Sequence, residues 1–489
     1  MKPRQPAALV TVIALLVALV TVGVFGFIQQ VAHGDVVTGM RTVGAGGAVW
    51  GLYVVMDGFF LGAGVVVMAC ACVARFFRDR DMEAVARIAM PVAVTCFLGA
   101  ALCVLADQGR PSAALENLSL YARPQSPMFV TFTTVGAVCL FASLVHCVLS
   151  RRADLAEYAK RPSAWQRLQR LLASGYRGTA GELQRRRICG FWMSLLMVPA
   201  LLAPLTALAV IFTVRPARPL VLTLIEAAAF LLLSGAGGLG LLLGAAALVG
   251  RLAGREAGLG TCGFARLAKA LTLVGSLSLV TIVAAEIAGL NSAEPAASAY
   301  ARALLAGAYG TMFWCELGLL FVSAALLWRK ARRGALGAGA AVIAGALAQV
   351  AVFLHHYLLL VAWQTHGLAL PYQPGAYSPT GIECAVVLGI VALCLLLLLP
   401  SVRLIPFAPL VFVREPAQGR GGDRRRRIVT MLWLLGGLAI SAVGFALSAR
   451  LGTDSSQDPI VDGSPVVFIV GLLVLATTGA VYELLPEKK

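Results

Sequence analysis

Charged side chains are scarce in this chain, making up 13% of its 489 residues against 59% hydrophobic ones. A soluble domain of this length cannot cover its surface with so few polar groups, so a water-soluble enzyme is excluded and an integral membrane protein remains. Histidine is rarer still, with five residues. His33 and His366 fall in outer loops, His146 lies near the inner face, and His355 and His356 are neighbours that point about 100° apart on a helix. No two spans therefore offer facing histidines at one depth, which argues against bis-histidine haem. The eleven cysteines contain no Cys-x-x-Cys pair and most lie within apolar runs. They read as small packing residues, with no iron–sulfur cluster, structural zinc or other metal site held by this chain. The alternating pattern of a membrane barrel is also missing, so the fold expected is all-α.

Apolar runs of about 20 residues give twelve expected transmembrane helices, near 8–29, 46–74, 88–106, 128–149, 188–213, 221–250, 270–290, 303–327, 336–363, 380–399, 428–448 and 464–482. The first run follows Lys2 and Arg4 without a convincing cleavage site and is read as a helix, not a secretory signal. With the amino terminus in the cytoplasm, cytoplasmic segments hold 33 of the 40 Lys and Arg residues. This positive-inside bias places both termini in the cytoplasm of a bacterial inner-membrane protein. The net charge of +17 thus reports topology and implies no nucleic-acid partner. A long basic loop, 150–187, carries an amphipathic stretch around Trp165, Leu168, Leu171 and Leu172, expected to lie on the inner membrane surface against anionic lipid. Three regions follow: 1–45, a first helix and outer loop; 46–400, a core; and 401–489, a basic linker with two extra helices.

Seven ionisable residues interrupt the apolar runs: Asp57, Glu226, Glu286, Glu316, His355, His356 and Glu383. A charge at mid-membrane costs at least about 2.5 kcal/mol, so each is a functional suspect. From the helical rise, Glu383 and Glu286 lie about 5 to 6 Å below the outer face, Glu226 about 8 Å, the histidines about 10 Å and Asp57 about 15 Å. Glu316 alone sits near the midplane. Buried carboxylates and histidines can simply satisfy one another, yet that gives no reason to favour one leaflet. A ligand site with an outer mouth does.

Several segments together resemble one family. Trp50-Gly-Leu-Tyr53 with Phe59-Phe60-Leu-Gly62-Ala-Gly64, Ser126-Pro-Met128, Arg215-Pro216 leading to Ser234-Gly235, Phe313-Trp314 with Gly318, Phe353-Leu-His-His-Tyr357 with Gln364, and Tyr377-Ser-Pro-Thr-Gly-Ile-Glu383 occur in the order found in the NrfD/PsrC family of quinone-interacting membrane subunits. The resemblance implies two four-helix bundles and a quinone site near the outer face, without bound redox metals. It implies electron exchange with a ferredoxin-like iron–sulfur subunit outside the cytoplasm, linked to a molybdopterin enzyme or a multihaem cytochrome. The chain departs from the family pattern at Ala203-Pro204, where many members have His, at His356, where many have Arg, and at Asp57, where an aromatic or amide residue is usual.

The chemistry expected is exchange of electrons and protons with menaquinone or ubiquinone, in a quinone-reactive subunit rather than a complete enzyme. Quinol oxidation needs a base near the ring hydroxyl and donors at the opposite carbonyl. Asp57, Glu226 and His356 are the candidate catalytic residues. Trp50, Tyr53, His355, Tyr357, Gln364 and Glu383 are candidate quinone contacts, and Glu316 with His146 a candidate inward proton relay. The alternatives are a twelve-span proton-coupled transporter, which predicts interrupted helices meeting at the midplane, and a membrane anchor without chemistry.

Overall fold

A computed structural model describes residues 7–41, 47–76, 80–110, 112, 135–215, 218–252, 261–334, 336–366, 376–404, 424–450 and 464–485. Its described residues are helical, without strands. In chain order the helices are α1 (Ala7–His33), α2 (Leu52–Ala74), α3 (Arg80–Asp107), α4 (Ser143–Tyr158, preceded by a π segment, Val135–Ala142), α5 (Gln166–Ala173) and α6 (Ala180–Thr213). They continue with α7 (Leu220–Leu252), α8 (Thr261–Leu290), the short α9 (Pro295–Leu305), α10 (Gly310–Arg332) and α11 (Ala338–Tyr357). Helix α11 runs on through a π turn, Leu358–Ala362, to Trp363–His366. The last are α12 (Gly381–Leu404), α13 (Arg424–Arg450), α14 (Ser464–Ala476) and α15 (Thr478–Leu484).

Among the described residues eleven helices are long and apolar enough to cross a membrane. They match eleven of the twelve expected spans. The remaining one, 128–149, falls partly outside the described residues, and its described end forms the π segment and α4. The protein is a multi-pass membrane protein. Exposed leucine, valine and phenylalanine side chains on α1, α6, α8 and α13 are the lipid-facing surface such a chain requires.

Two rings of helices are closed by packing. Helix α2 meets α3, α3 meets the π segment and α4, α4 meets α6, and α6 returns to α2. The second ring runs α7, α8, α10, α11 and back to α7. The expected pair of four-helix bundles is thus present. The bundles join where α7 and α11 pack on α2. Helices α1 and α12 pair with each other and lean on the first bundle through α12 and α3. At their crossing Gly23 faces Gly389, where an added Cβ would lie 2.7 Å from the opposing Cα. Only hydrogen at both positions permits so close an approach.

The C-terminal hairpin does more than float in lipid. Helix α14 packs on the π segment and α15 on α6. Buried Glu483 at its end pairs with buried Arg152 of α4 at 2.8 Å.

The Gly23–Gly389 crossing predicts that Gly389→Val forces α1 and α12 apart and destabilises the protein by about 1–3 kcal/mol, as overpacking does. Thermal unfolding of the detergent-solubilised chain measures this. An unchanged midpoint would show that the pair is not held at this distance.

Candidate functional site

Two of the expected contacts organise backbone. Glu383 occupies the first turn of α12, where its carboxylate accepts from the backbone N–H of Thr380 at 2.9 Å and of Gly39 at 2.7 Å, and from the Tyr377 hydroxyl at 2.6 Å. The N–H of Glu383 in turn reaches the Thr380 hydroxyl, completing a capping box. Burial, with the Glu383 carboxylate beside it, pushes the Tyr377 phenol above its ordinary range. The same phenol accepts from the N–H of Leu52 at the start of α2. Gln364 is equally occupied. Its Oε1 accepts from the N–H groups of Val49 and Trp50, and its Nε2 donates to the carbonyls of Trp50 and Leu360. Together these side chains pin the stretch of chain that enters α2 and so fix the heading of Tyr53 and Asp57.

Tyr53 and Asp57 stand one turn apart on α2. Tyr53 is fully buried and donates to Gln30 Oε1 of α1 at 2.8 Å, while Gln30 Nε2 donates to the Ala106 carbonyl of α3. Asp57 is partly exposed and makes no hydrogen bond with the described residues. On the other side of α2, Gly58 leaves room for the ring of His356, whose Cδ2 would lie 3.0 Å from an added Cβ. His356 belongs to α11 and packs on Phe230 of α7 at a centroid distance of 4.8 Å. Its Nδ1 lies 2.7 Å from the Val352 carbonyl, which can only accept, so that nitrogen carries the proton. Nε2 is left as a buried acceptor without a partner. Trp50 and Phe212 continue this aromatic seam at 5.9 Å, and Tyr357 packs near Tyr377 at 6.2 Å.

The second bundle collects a polar centre to which each of its helices contributes one ionisable group. These are Glu226 from α7, Glu286 from α8, Glu316 from α10 and His355 from α11, all lining one narrow cleft. Glu226 is held by two guanidinium groups. Arg218 donates to both of its oxygens, one bond being 2.6 Å, and Arg215 lies 3.2 Å away. Arg215 also stacks on the Tyr300 ring at 4.4 Å and donates to the Leu359 carbonyl at 3.0 Å. The π turn after α11 shifts the backbone bonding pattern where this carbonyl accepts. Burial raises the Tyr300 phenol, so it stays protonated beside the arginines. His355 Nδ1 meets Glu316 Oε1 at 2.9 Å, leaving Glu316 Oε2 and His355 Nε2 buried without partners. Among the described residues no three His, Cys, Asp or Glu side chains converge as a metal site.

The expected catalytic trio is therefore spread over three places: Asp57 toward α3, His356 at the junction of the bundles, and Glu226 inside the second bundle. The two residues of the expected relay also part company. Glu316 bonds to His355 in the second bundle, whereas His146 of α4 lies 3.3 Å from Ser194 of α6 in the first. Sequence reading missed Arg215, Arg218 and Tyr300 as members of the polar centre, because all three precede or follow apolar runs and count there as loop residues. It also missed Gln30, the partner of Tyr53. The Thr380-x-x-Glu383 spacing is a capping-box signature, and it was the available signal that Glu383 caps a helix.

The family model for polysulphide reductase NrfD matches residues 41–367. The chain belongs to the NrfD family. The matched span holds both bundles and stops short of α12, so the last three long helices lie outside the NrfD region although α12 packs against its α3. A protein of Halobacterium salinarum, named as a putative membrane subunit of dimethyl sulfoxide reductase, is 25% identical over 430 residues, covering 81% of this chain and 90% of that one. The similarity thus runs through most of both proteins, beyond the NrfD region itself.

The double clamp on Glu226 gives a prediction. Glu226→Gln strands two buried guanidinium charges, and removal of one partner from a buried pair costs about 3–5 kcal/mol. Glu157→Gln, which removes an exposed carboxylate 2.6 Å from Lys160, is expected to cost no more than about 1 kcal/mol. Paired thermal denaturation of the two variants checks this, and equal effects would sink the clamp.

Proposed function

We propose that this NrfD-family chain is the quinone-reactive membrane subunit of a multi-subunit respiratory oxidoreductase. It exchanges electrons and protons with menaquinone or ubiquinone near the outer membrane face. Electrons pass to or from an extracytoplasmic iron–sulfur subunit, itself linked to a molybdopterin enzyme or a multihaem cytochrome. Family membership supports the reading, as does the relative named as a membrane subunit of a dimethyl sulfoxide reductase. The observation that carries the choice of site is Asp57: a partly exposed carboxylate, without a hydrogen-bond partner among the described residues, one helical turn from the phenol of Tyr53.

In the oxidising direction a quinol gives up two protons and two electrons. Asp57 accepts a proton from a ring hydroxyl as the electron density leaves toward the iron–sulfur partner. Tyr53, oriented by Gln30, contacts the ring oxygen, and the aromatic wall of Trp50 and the seam behind it takes the ring face. His356 offers its unpartnered Nε2 as the acceptor for the proton of the second ring hydroxyl. In the reducing direction the same groups return protons to the quinone oxygens. Glu226 is a weaker choice for the base, because its oxygens are already engaged by Arg218 and Arg215. It serves instead to hold Arg218 and Arg215 beside Glu286 and the Glu316–His355 pair.

In the intact complex, Asp57→Asn is expected to lower quinol oxidation by about 100-fold, the scale of general-base loss. Glu226→Gln should have a smaller effect at equal protein content. If both variants oxidise quinol at the native rate, the site is elsewhere. A solitary chain that purifies without an iron–sulfur subunit and moves solute in liposomes would overturn the function itself.

A further inference from the structure

The basic end of the molecule carries a feature that quinone chemistry does not use. Arg75, directly after α2, and Arg186, on the first turns of α6, approach each other across Gly190, where an added Cβ would lie 2.8 Å from Arg75 Nη1. Arg186 spends one donor on the Ser150 carbonyl of α4. Arg75 has no ion pair among the described residues, and its Nε is buried without an acceptor. Among the described residues, the carboxylate that lies near both arginines, Glu83, is bound to Arg87 at 2.8 Å. The helix ends therefore present two guanidinium groups with donors to spare and no ion pair among the described residues.

Beside them the surface is aromatic and apolar. Phe76, Phe191 and Trp192 are exposed at 39%, 47% and 56%, and form an edge-to-face ladder with centroid separations of 5.5 and 5.6 Å. Leu195 and Leu196 extend it along α6. Helix α5 is the amphipathic stretch expected on the inner membrane surface. It packs on α4 through buried Gln169 and Ala173 while Trp165, Leu168 and Leu171 face outward, an apolar side that only lipid would cover. Arg152 of α4 ties α5 to this level by donating to the carbonyls of Ala173 and Ser174. Two guanidinium groups with spare donors at headgroup depth, above an aromatic step and an apolar helix face, match a phosphodiester with acyl chains below it.

We propose that Arg75 and Arg186 form a binding site for the phosphate of an anionic phospholipid, whose acyl chains lie along Phe76, Phe191, Trp192 and the outer face of α6. The lipid phosphate takes guanidinium donors that the described residues leave free and seals the crossing of α2 and α6 at Gly190. Arginine suits the role because its planar fork takes two phosphate oxygens at once.

The test is retention and rebinding of lipid by the full chain in mild detergent, read by native mass spectrometry. Phosphatidylglycerol, phosphatidylcholine and inorganic phosphate are added in turn to delipidated protein. The native chain is expected to rebind phosphatidylglycerol at least tenfold better than phosphatidylcholine and to be unaffected by millimolar inorganic phosphate. Arg75→Gln with Arg186→Gln should abolish that preference, whereas Arg187→Gln on the exposed flank should keep it. Should the double variant fold poorly, Trp192→Ala keeps both charges and is expected to weaken lipid retention severalfold without admitting phosphate. Equal binding of the two lipids, competition by free phosphate, or undiminished preference in the variants would each overturn the proposal.

Discussion

Hydrocarbon offers no hydrogen bonds, so each carboxylate, guanidinium or imidazole within a span must be met by groups that the protein itself supplies. The Arg215–Glu226–Arg218 clamp is the strongest expression of that constraint here. Two cations on the connection between α6 and α7 descend onto one carboxylate, and the same Arg215 reaches the Leu359 carbonyl in the π turn and the face of Tyr300. Helices α7, α9 and the end of α11 are thereby tied to one charge centre. The π turn is itself part of the arrangement, since a regular helix would bond its carbonyls in the ordinary pattern. The cleft lined by Glu286, Glu316 and His355 takes its shape from these ties.

A second set of polar contacts acts on α2. Glu383 and Gln364 are exhausted by backbone donors and acceptors, and their work is to fix where the chain turns into that helix. Asp57 behaves differently from Glu226, Glu316 and Glu383. It follows Tyr53 by one turn, inside a helix whose other side chains are largely buried, and finds no partner among the described residues. Positions that satisfy every local rule read as scaffold. A position that violates one, held in place by neighbours that do not, is where the proposed proton acceptor stands.

Much of this was legible in the sequence because hydropathy acts locally. Apolar runs marked the spans, basic loops marked one end, and all seven intramembrane ionisable residues stood out before any contact was known. The grouping of those residues was not legible. Glu226 and Arg218 are eight positions apart, but Glu316 and His355 are separated by 39 and Gly39 and Glu383 by 344, and no periodicity links such pairs. The adjacent histidines were readable in one respect: neighbours on a helix diverge, and His355 indeed turns to Glu316 while His356 turns to Phe230. Arg215 and Arg218 were hidden by their position. They counted only as two of the seven outer-loop charges, and nothing in their immediate sequence surroundings shows that their side chains fold back into the bundle.

The two ends of the molecule resolve their charges differently, and the difference follows from what covers each end. In the second bundle, four ionisable groups on four helices meet beneath arginines, and Glu226 takes both arginines while His355 meets Glu316. At the basic end, Arg87 takes Glu83 and Asp154 and Arg152 takes Glu483, and among the described residues Arg75 and Arg186 have no carboxylate partner. A guanidinium left unpaired in the interior would be costly, but at headgroup depth the anion can come from the membrane. The C-terminal hairpin fits the same logic. Its Glu483 is placed where one arginine would otherwise be buried alone, so helices outside the family region complete a charge balance that begins within it.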